Sequence, residues 1–131
     1  MKTQYTVALS MLAGVVLGAV SVGGLYAQGK APGAYAIVTY TDIPDPAGYK
    51  ANVLDKGPAI IEKNGGHLLV ATNDITVFSE GTPPFPLKRI GIIGFDSIEQ
   101  AKEWYASPDI KDIRAYINEN TKGRVFAVKA R

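Results

Sequence analysis

One histidine, His67, and no cysteine set the chemical range of this 131-residue sequence. Without thiols there is no disulfide, no thiolate metal site and no cysteine nucleophile. A single imidazole leaves carboxylates as the other metal ligands, and Asp42, Asp45, Asp109 and Asp112 follow no recognised ligand spacing. No metal and no cofactor are therefore expected. Gly91 and Gly94 fall inside an apolar run rather than a phosphate-binding loop, and are read as sites of close packing or a bulge.

Four side chains remain that could act on a small molecule. His67 is the residue type whose charge changes nearest physiological pH, so it could serve as a general base, or sit at a strand end with its tip in water. Tyr40 offers a hydroxyl donor and is the second candidate acid or base. Arg89 offers a planar fork for an anion, or a surface charge at a strand start. Trp104, with Tyr105 and Ser107-Pro108, either anchors a helix on a sheet or stands at the mouth of a pocket. Tyr40, His67, Arg89 and Trp104 are the expected lining of any binding site.

The elements that must position them read as follows. Ala34 to Thr41 is apolar on both sides, as a central strand requires. Asp45-Pro46 starts a helix, with Asp45 as its cap and Pro46 preset for the first turn. Tyr49, Val53, Gly57 and Ile60 or Ile61 form its apolar face, and Pro58 should kink or break it near Gly57. Gly65-Gly66 ends it. Strands are expected at His67 to Thr72, with His67, Leu69 and Ala71 on one face, and at Ile75 to Phe78, joined as a hairpin by Asn73-Asp74. The proline-rich run Glu80 to Pro86 reads as an exposed loop before a strand at Lys88 to Phe95. Ser97 and Gln100 have the spacing of a capping box, Ser107-Pro108 interrupts and restarts the helix, and Ile110, Ile113 and Ile117 supply its buried stripe. Gly123 closes that helix and Arg124 to Lys129 is the last strand.

The order is α+β, a ferredoxin-like βαββαβ sandwich with an antiparallel sheet and both helices on one face. Its strands are apolar on both sides, so the second face needs cover, and pairing with another copy is the economical solution.

Ahead of this domain, residues 3–29 carry no charge and only Lys2 precedes them. That layout reads as a signal peptide over residues 1–27, followed by a linker at 28–33 and the domain at 34–131. The rival is a membrane anchor formed by residues 7–27, since a span needs roughly 20 apolar residues. Several glycines, the small-residue exit at Ala27 and the lack of a basic flank favour cleavage, hence a periplasmic or secreted protein. Without residues 1–27, 13 Lys and Arg face 12 Asp and Glu. So even a balance argues against nucleic acid as a partner, and a membrane enters only through an uncleaved anchor.

Ala34-Tyr-Ala-Ile-Val, Asp45-Pro46, Gly65-Gly66-His67-Leu-Leu-Val, Lys88-Arg89-Ile-Gly-Ile-Ile-Gly-Phe95 and Trp104-Tyr105-Ala-Ser107-Pro108 occur in an order that resembles the family known as domain of unknown function 1330. The resemblance spans nearly all of residues 34–129. It implies a dimeric α/β barrel, an architecture shared with small cofactor-free monooxygenases, muconolactone-type isomerases and haem-binding enzymes. Two departures stand out. Where the family usually has basic residues after the paired glycines and after the second-strand valine, this chain has His67 and Ala71. Where many members have a glutamate late in the fourth strand it has Gly94.

Three functional readings follow. The leading one is an exported homodimer that binds a small, partly apolar molecule. The others are a cofactor-independent monooxygenase or isomerase-like enzyme using Tyr40 or His67, and a non-catalytic structural or interaction dimer.

Overall fold

A four-stranded antiparallel sheet forms the centre of the domain. The computed structural model describes residues 31–79, 81 and 86–131; the expected signal or anchor at 1–27 and most of the Glu80 to Pro86 loop lie outside the described residues. Strands β1 (Ala34–Asp42), β2 (His67–Thr72), β3 (Arg89–Phe95) and β4 (Lys122–Lys129) lie in the order β2-β3-β1-β4. This is the ferredoxin-like arrangement. β1 is interior because Ala34, Ala36, Val38 and Tyr40 supply one apolar face and Tyr35, Ile37 and Thr39 the other, and β3 and β4 flank it on its two edges.

Helices cover the face that bears Ala36, Tyr40, Ile93 and Phe95. Asp45 accepts the Gly48 amide at 3.0 Å and Pro46 opens the first turn, so α1 (Pro46–Tyr49) begins where local chemistry requires. The chain continues through a wide π-helical turn, Lys50–Leu54, then breaks and restarts as α2 (Gly57–Lys63) with Pro58 in its first turn. The expected break near Gly57 is thus present, and the π turn keeps Tyr49, Val53 and Ile61 all facing the sheet. Gly65 takes φ +84°, left-handed backbone that favours glycine, and the Gly66 amide reaches back to the Ile61 carbonyl at 2.9 Å.

Ser97 caps α3 (Ile98–Ala106) through the Gln100 amide at 3.1 Å, while Gln100 Oε1 accepts from the Asp96 amide rather than from Ser97 itself. Ser107 then caps the 3-10 turn Pro108–Ile110, which leads into α4 (Lys111–Asn120). Ile110, Ile113 and Ile117 are buried, as their spacing demands.

Two elements differ from expectation. Ile75 to Phe78 is not a strand: the partner of β2 is β3, across the long connection 73–88. The interior slot beside β2 goes to the seven-residue β3, which is apolar on both faces, whereas Val77 and Phe78 stay exposed. The Thr72 hydroxyl accepts the Asp74 amide at 2.9 Å and ends β2 there. Gly123 does not close a helix either, because α4 stops at Asn120 and β4 already includes Lys122 and Gly123. A bulge in β2 between Leu68 and Val70 alters its faces. His67 opposes Gly94 while Ala71 opposes Gly91, so His67 and Ala71 lie on opposite faces rather than together.

Candidate functional site

Between the helices and the sheet lies a cavity of about 100 Å³. Val38 and Tyr40 reach it from β1, Arg89 and Ile93 from β3, Tyr49 from α1, and Trp104, Tyr105 and Arg114 from α3 and α4. Its walls are mostly aliphatic, with Tyr40, Tyr49, Arg89 and Arg114 supplying polar groups.

Three of the four expected lining residues meet here: Tyr40, Arg89 and Trp104. The cause is register. Tyr40 and Arg89 are directly paired across β1 and β3, on the helix-facing side. Tyr49 stands edge-on to Tyr40, with ring centroids 5.1 Å apart, and the Arg89 guanidinium lies 5.8 Å from the Tyr49 ring centre. Arg89 also donates to Asn73 Oδ1 at 2.8 Å, which fixes its fork at the end of the strand. Burial, and then a hydrogen bond with Tyr49, push the Tyr40 hydroxyl well above the ordinary tyrosine range, outweighing the nearby Arg89. Tyr40 is therefore a proton donor in hydrogen bonds, not an acid or base poised near neutral pH.

This shift has a consequence for stability. The folded state holds the Tyr40 proton more tightly than the unfolded chain, so its contribution is complete below about pH 10 and falls as pH rises further. The slope is about 1.4 kcal/mol per pH unit at most. Urea midpoints between pH 9 and 11.5 should drop more steeply for the native chain than for Tyr40→Phe. Parallel slopes would show that the hydroxyl is not sequestered.

His67 is not part of the cavity wall. Its Nδ1 lies 3.3 Å from Glu62 Oε2, so a carboxylate partner is present, but the imidazole stands at the β2 end, opposite Gly94. The two departures from the family pattern, His67 and Gly94, are thus cross-strand neighbours, and Ala71 is in the cavity wall beside Gly91.

Trp104 is 4% exposed and packs on Phe95, with ring centroids 5.5 Å apart, and on Tyr105 at 5.9 Å. It serves as core and as cavity wall at once. Its indole Nε1 has no hydrogen-bond partner, and neither has the Nε of Arg114, which also is sealed from solvent. Arg114 was not among the residues expected at the site. The sequence does carry its signal: Arg114 follows Ile110 by four and precedes Ile117 by three, a cation placed within an apolar helical stripe. Its guanidinium lies 5.3 Å from the Tyr105 ring centre.

A second concavity, a groove of about 470 Å³, runs between α3 and β4. It shares Trp104, Tyr105, Arg114 and Val125 with the cavity and adds Lys102 and Ala127. Among the described residues no group of three or more His, Asp or Glu is placed to hold a metal ion.

The family model of a domain of unknown function, DUF1330, matches residues 33–131, the whole of the sheet and helices described above. This chain is a DUF1330 protein. Among solved structures, a protein of unknown function from Rhodopseudomonas palustris, a structural-genomics target, is similar at 12% identity and a TM-score of 0.55. That alignment covers 85% of this chain and 92% of the other. The methylated form of that protein is similar at 15% identity and a TM-score of 0.48, covering 85% of this chain and 90% of the other. Nothing among curated proteins matches. For the DUF1330 domain the first of these structures agrees with the ferredoxin-like fold and leaves its chemistry to the geometry of the site.

Proposed function

We propose that this DUF1330 protein is exported and, as a homodimer, binds a small, partly apolar molecule between the helices and the sheet. The observation that carries the reading is the convergence of Tyr40, Arg89 and Trp104 on one apolar-walled cavity. Ligand sites have this composition, mostly apolar walls with a few placed polar groups. The cavity is smaller than the roughly 300 Å³ at which ligand pockets begin, and the adjoining groove of about 470 Å³ supplies the remaining room.

Dimerisation is supported by the sheet's second face. Register places Ile37, Val70, Ile90 and Ile92 there with Phe126 and Val128, and the last two are 47% and 42% exposed. Such a face is suited to a second copy of itself, and a stable pairing would need about 800 Å² from each partner. Export rests on the uncharged residues 3–29. The mature mass reports it directly: loss of the first 27 residues supports export by cleavage, and an intact chain in the membrane fraction means an anchor.

Thermal unfolding in the presence of small aromatic and lactone compounds tests the binding. A ligand present at about 100 times its Kd stabilises by about 2.7 kcal/mol, which shifts the midpoint of a domain of this size by several degrees. Sedimentation should give the mass of two chains. If the dimer forms and no compound stabilises it, the non-catalytic interaction reading replaces this one. Catalysis by Tyr40 or His67 draws no support from the geometry, since Tyr40 is held protonated and His67 is absent from the cavity wall.

A further inference from the structure

The wall that the cavity and the groove share contains two buried hydrogen-bond donors with nothing to donate to, Trp104 Nε1 and Arg114 Nε. Native proteins pair nearly all such groups, and leaving one unmet carries the full cost of its desolvation. Trp104 is more than nine-tenths buried, so water does not satisfy it from outside. The charge of the surroundings points the same way. The two linings together contain Arg89, Arg114 and Lys102 and no aspartate or glutamate. Neither Arg89 nor Arg114 has an ion-pair partner among the described residues, whereas Lys50 and Lys63 are matched by Asp55 and Asp109.

A wall with unpaired donors, unbalanced positive charge and otherwise aliphatic and aromatic surfaces is complementary to an organic anion. We propose that this wall is the recognition point for a small monocarboxylate with an apolar body. Its carboxylate accepts hydrogen bonds from Trp104 and Arg114, and its body lies along the groove between α3 and β4. The proposal rests on the small-molecule reading above and narrows it to one ligand class. It also names an anchor, Arg114, that Tyr40 and Arg89 do not supply. Size agrees with it. An engineered cavity of about 150 Å³ takes a benzene ring, so the cavity of about 100 Å³ is too small for an aromatic body, which the groove accommodates.

Trp104 is the sole tryptophan of the chain, so intrinsic indole fluorescence reports this wall and nothing else. The test is a titration of the full-length protein with benzoate and hexanoate, each against its neutral amide, benzamide and hexanamide, with thermal midpoints measured in parallel. The expected result is a saturable change in Trp104 fluorescence with the acids, at least about 10-fold tighter than with the amides, as a charge-assisted pair requires. Arg114→Met should abolish that preference, so that acids and amides bind alike. Arg89→Met, which removes a cation from the cavity but not from this wall, should reduce acid binding less than Arg114→Met does. If acids and amides bind equally, the anion inference is overturned while small-molecule binding stands. If acids are preferred but Arg114→Met keeps the preference, Arg114 is not the anchor and the proposal fails at that residue. Absence of any response to all four compounds, in fluorescence and in thermal midpoint, overturns both.

Discussion

Phe95→Ala is expected to lower the unfolding free energy by about 3–5 kcal/mol, a large share of the 5–15 kcal/mol typical of a domain. Phe95 is fully buried at the end of β3. Its ring packs on Trp104 from one side, and on the other it lies so near Gly66 that a Cβ there would come within 2.6 Å of Cε1. Removing the ring empties a space whose walls are held by a strand, a helix end and an indole, none of which can collapse freely, so most of the cavity cost persists. Ile93→Val, two residues earlier on the same face, is the matched control and should cost about 0.5–1.5 kcal/mol. Urea denaturation with unchanged slope measures both. A Phe95→Ala loss under about 1 kcal/mol would mean that the β3 end and α3 close over the gap, and that Trp104 is not held rigidly in the cavity wall.

Which parts of this arrangement the sequence discloses depends on how far each interaction reaches along the chain. The caps at Asp45, Ser97 and Ser107 join a side chain to an amide two or three residues away, so residue type and spacing suffice to place them. β1 is recognisable as interior because both of its faces are largely apolar from Ala34 to Tyr40, a property that needs no partner to be seen. The bulge in β2 is different, because it exists only relative to β3. Nothing within His67 to Thr72 announces it, and simple alternation therefore puts His67 and Ala71 on one face. The same holds for Ile75 to Phe78, which has acceptable strand composition but loses the interior slot to a longer competitor that starts at Arg89.

The candidate site divides along the same line. Tyr40, Arg89 and Trp104 stand out as polar or amphipathic residues in strongly apolar elements, and long-range register then brings them together. Tyr49 reads as one more apolar position on a helix face, and its role next to Tyr40 and Arg89 appears only in three dimensions. Arg114 is intermediate: its place inside the Ile110, Ile113, Ile117 stripe is visible, but arginines commonly lay their aliphatic stems on apolar surface and keep the head in water. Only the unpaired, buried Nε separates this arginine from that ordinary case.

Gly123 makes the clearest test of register against local preference. Alanine in place of a strand glycine ordinarily stabilises by roughly 0.5–1 kcal/mol, because glycine loses more backbone freedom on folding. Here Gly123 pairs with Tyr40 across β1 and β4, and a Cβ would lie 2.7 and 2.8 Å from two ring carbons of Tyr40 and 3.1 Å from Ile117 Cγ2. The Tyr40 ring is 2% exposed and held edge-on by Tyr49, so it has nowhere to retreat. Overpacking of this kind costs about 1–3 kcal/mol and exceeds the entropic gain. Gly123→Ala should therefore destabilise the domain. In a Tyr40→Val background, where the ring carbons are gone, the same substitution should become neutral or stabilising. Four urea midpoints, for the native chain, the two single variants and the double variant, measure the coupling. A stabilising Gly123→Ala in the native background would show that the Tyr40 ring moves, and with it the wall of the cavity that Tyr40 and Arg89 share.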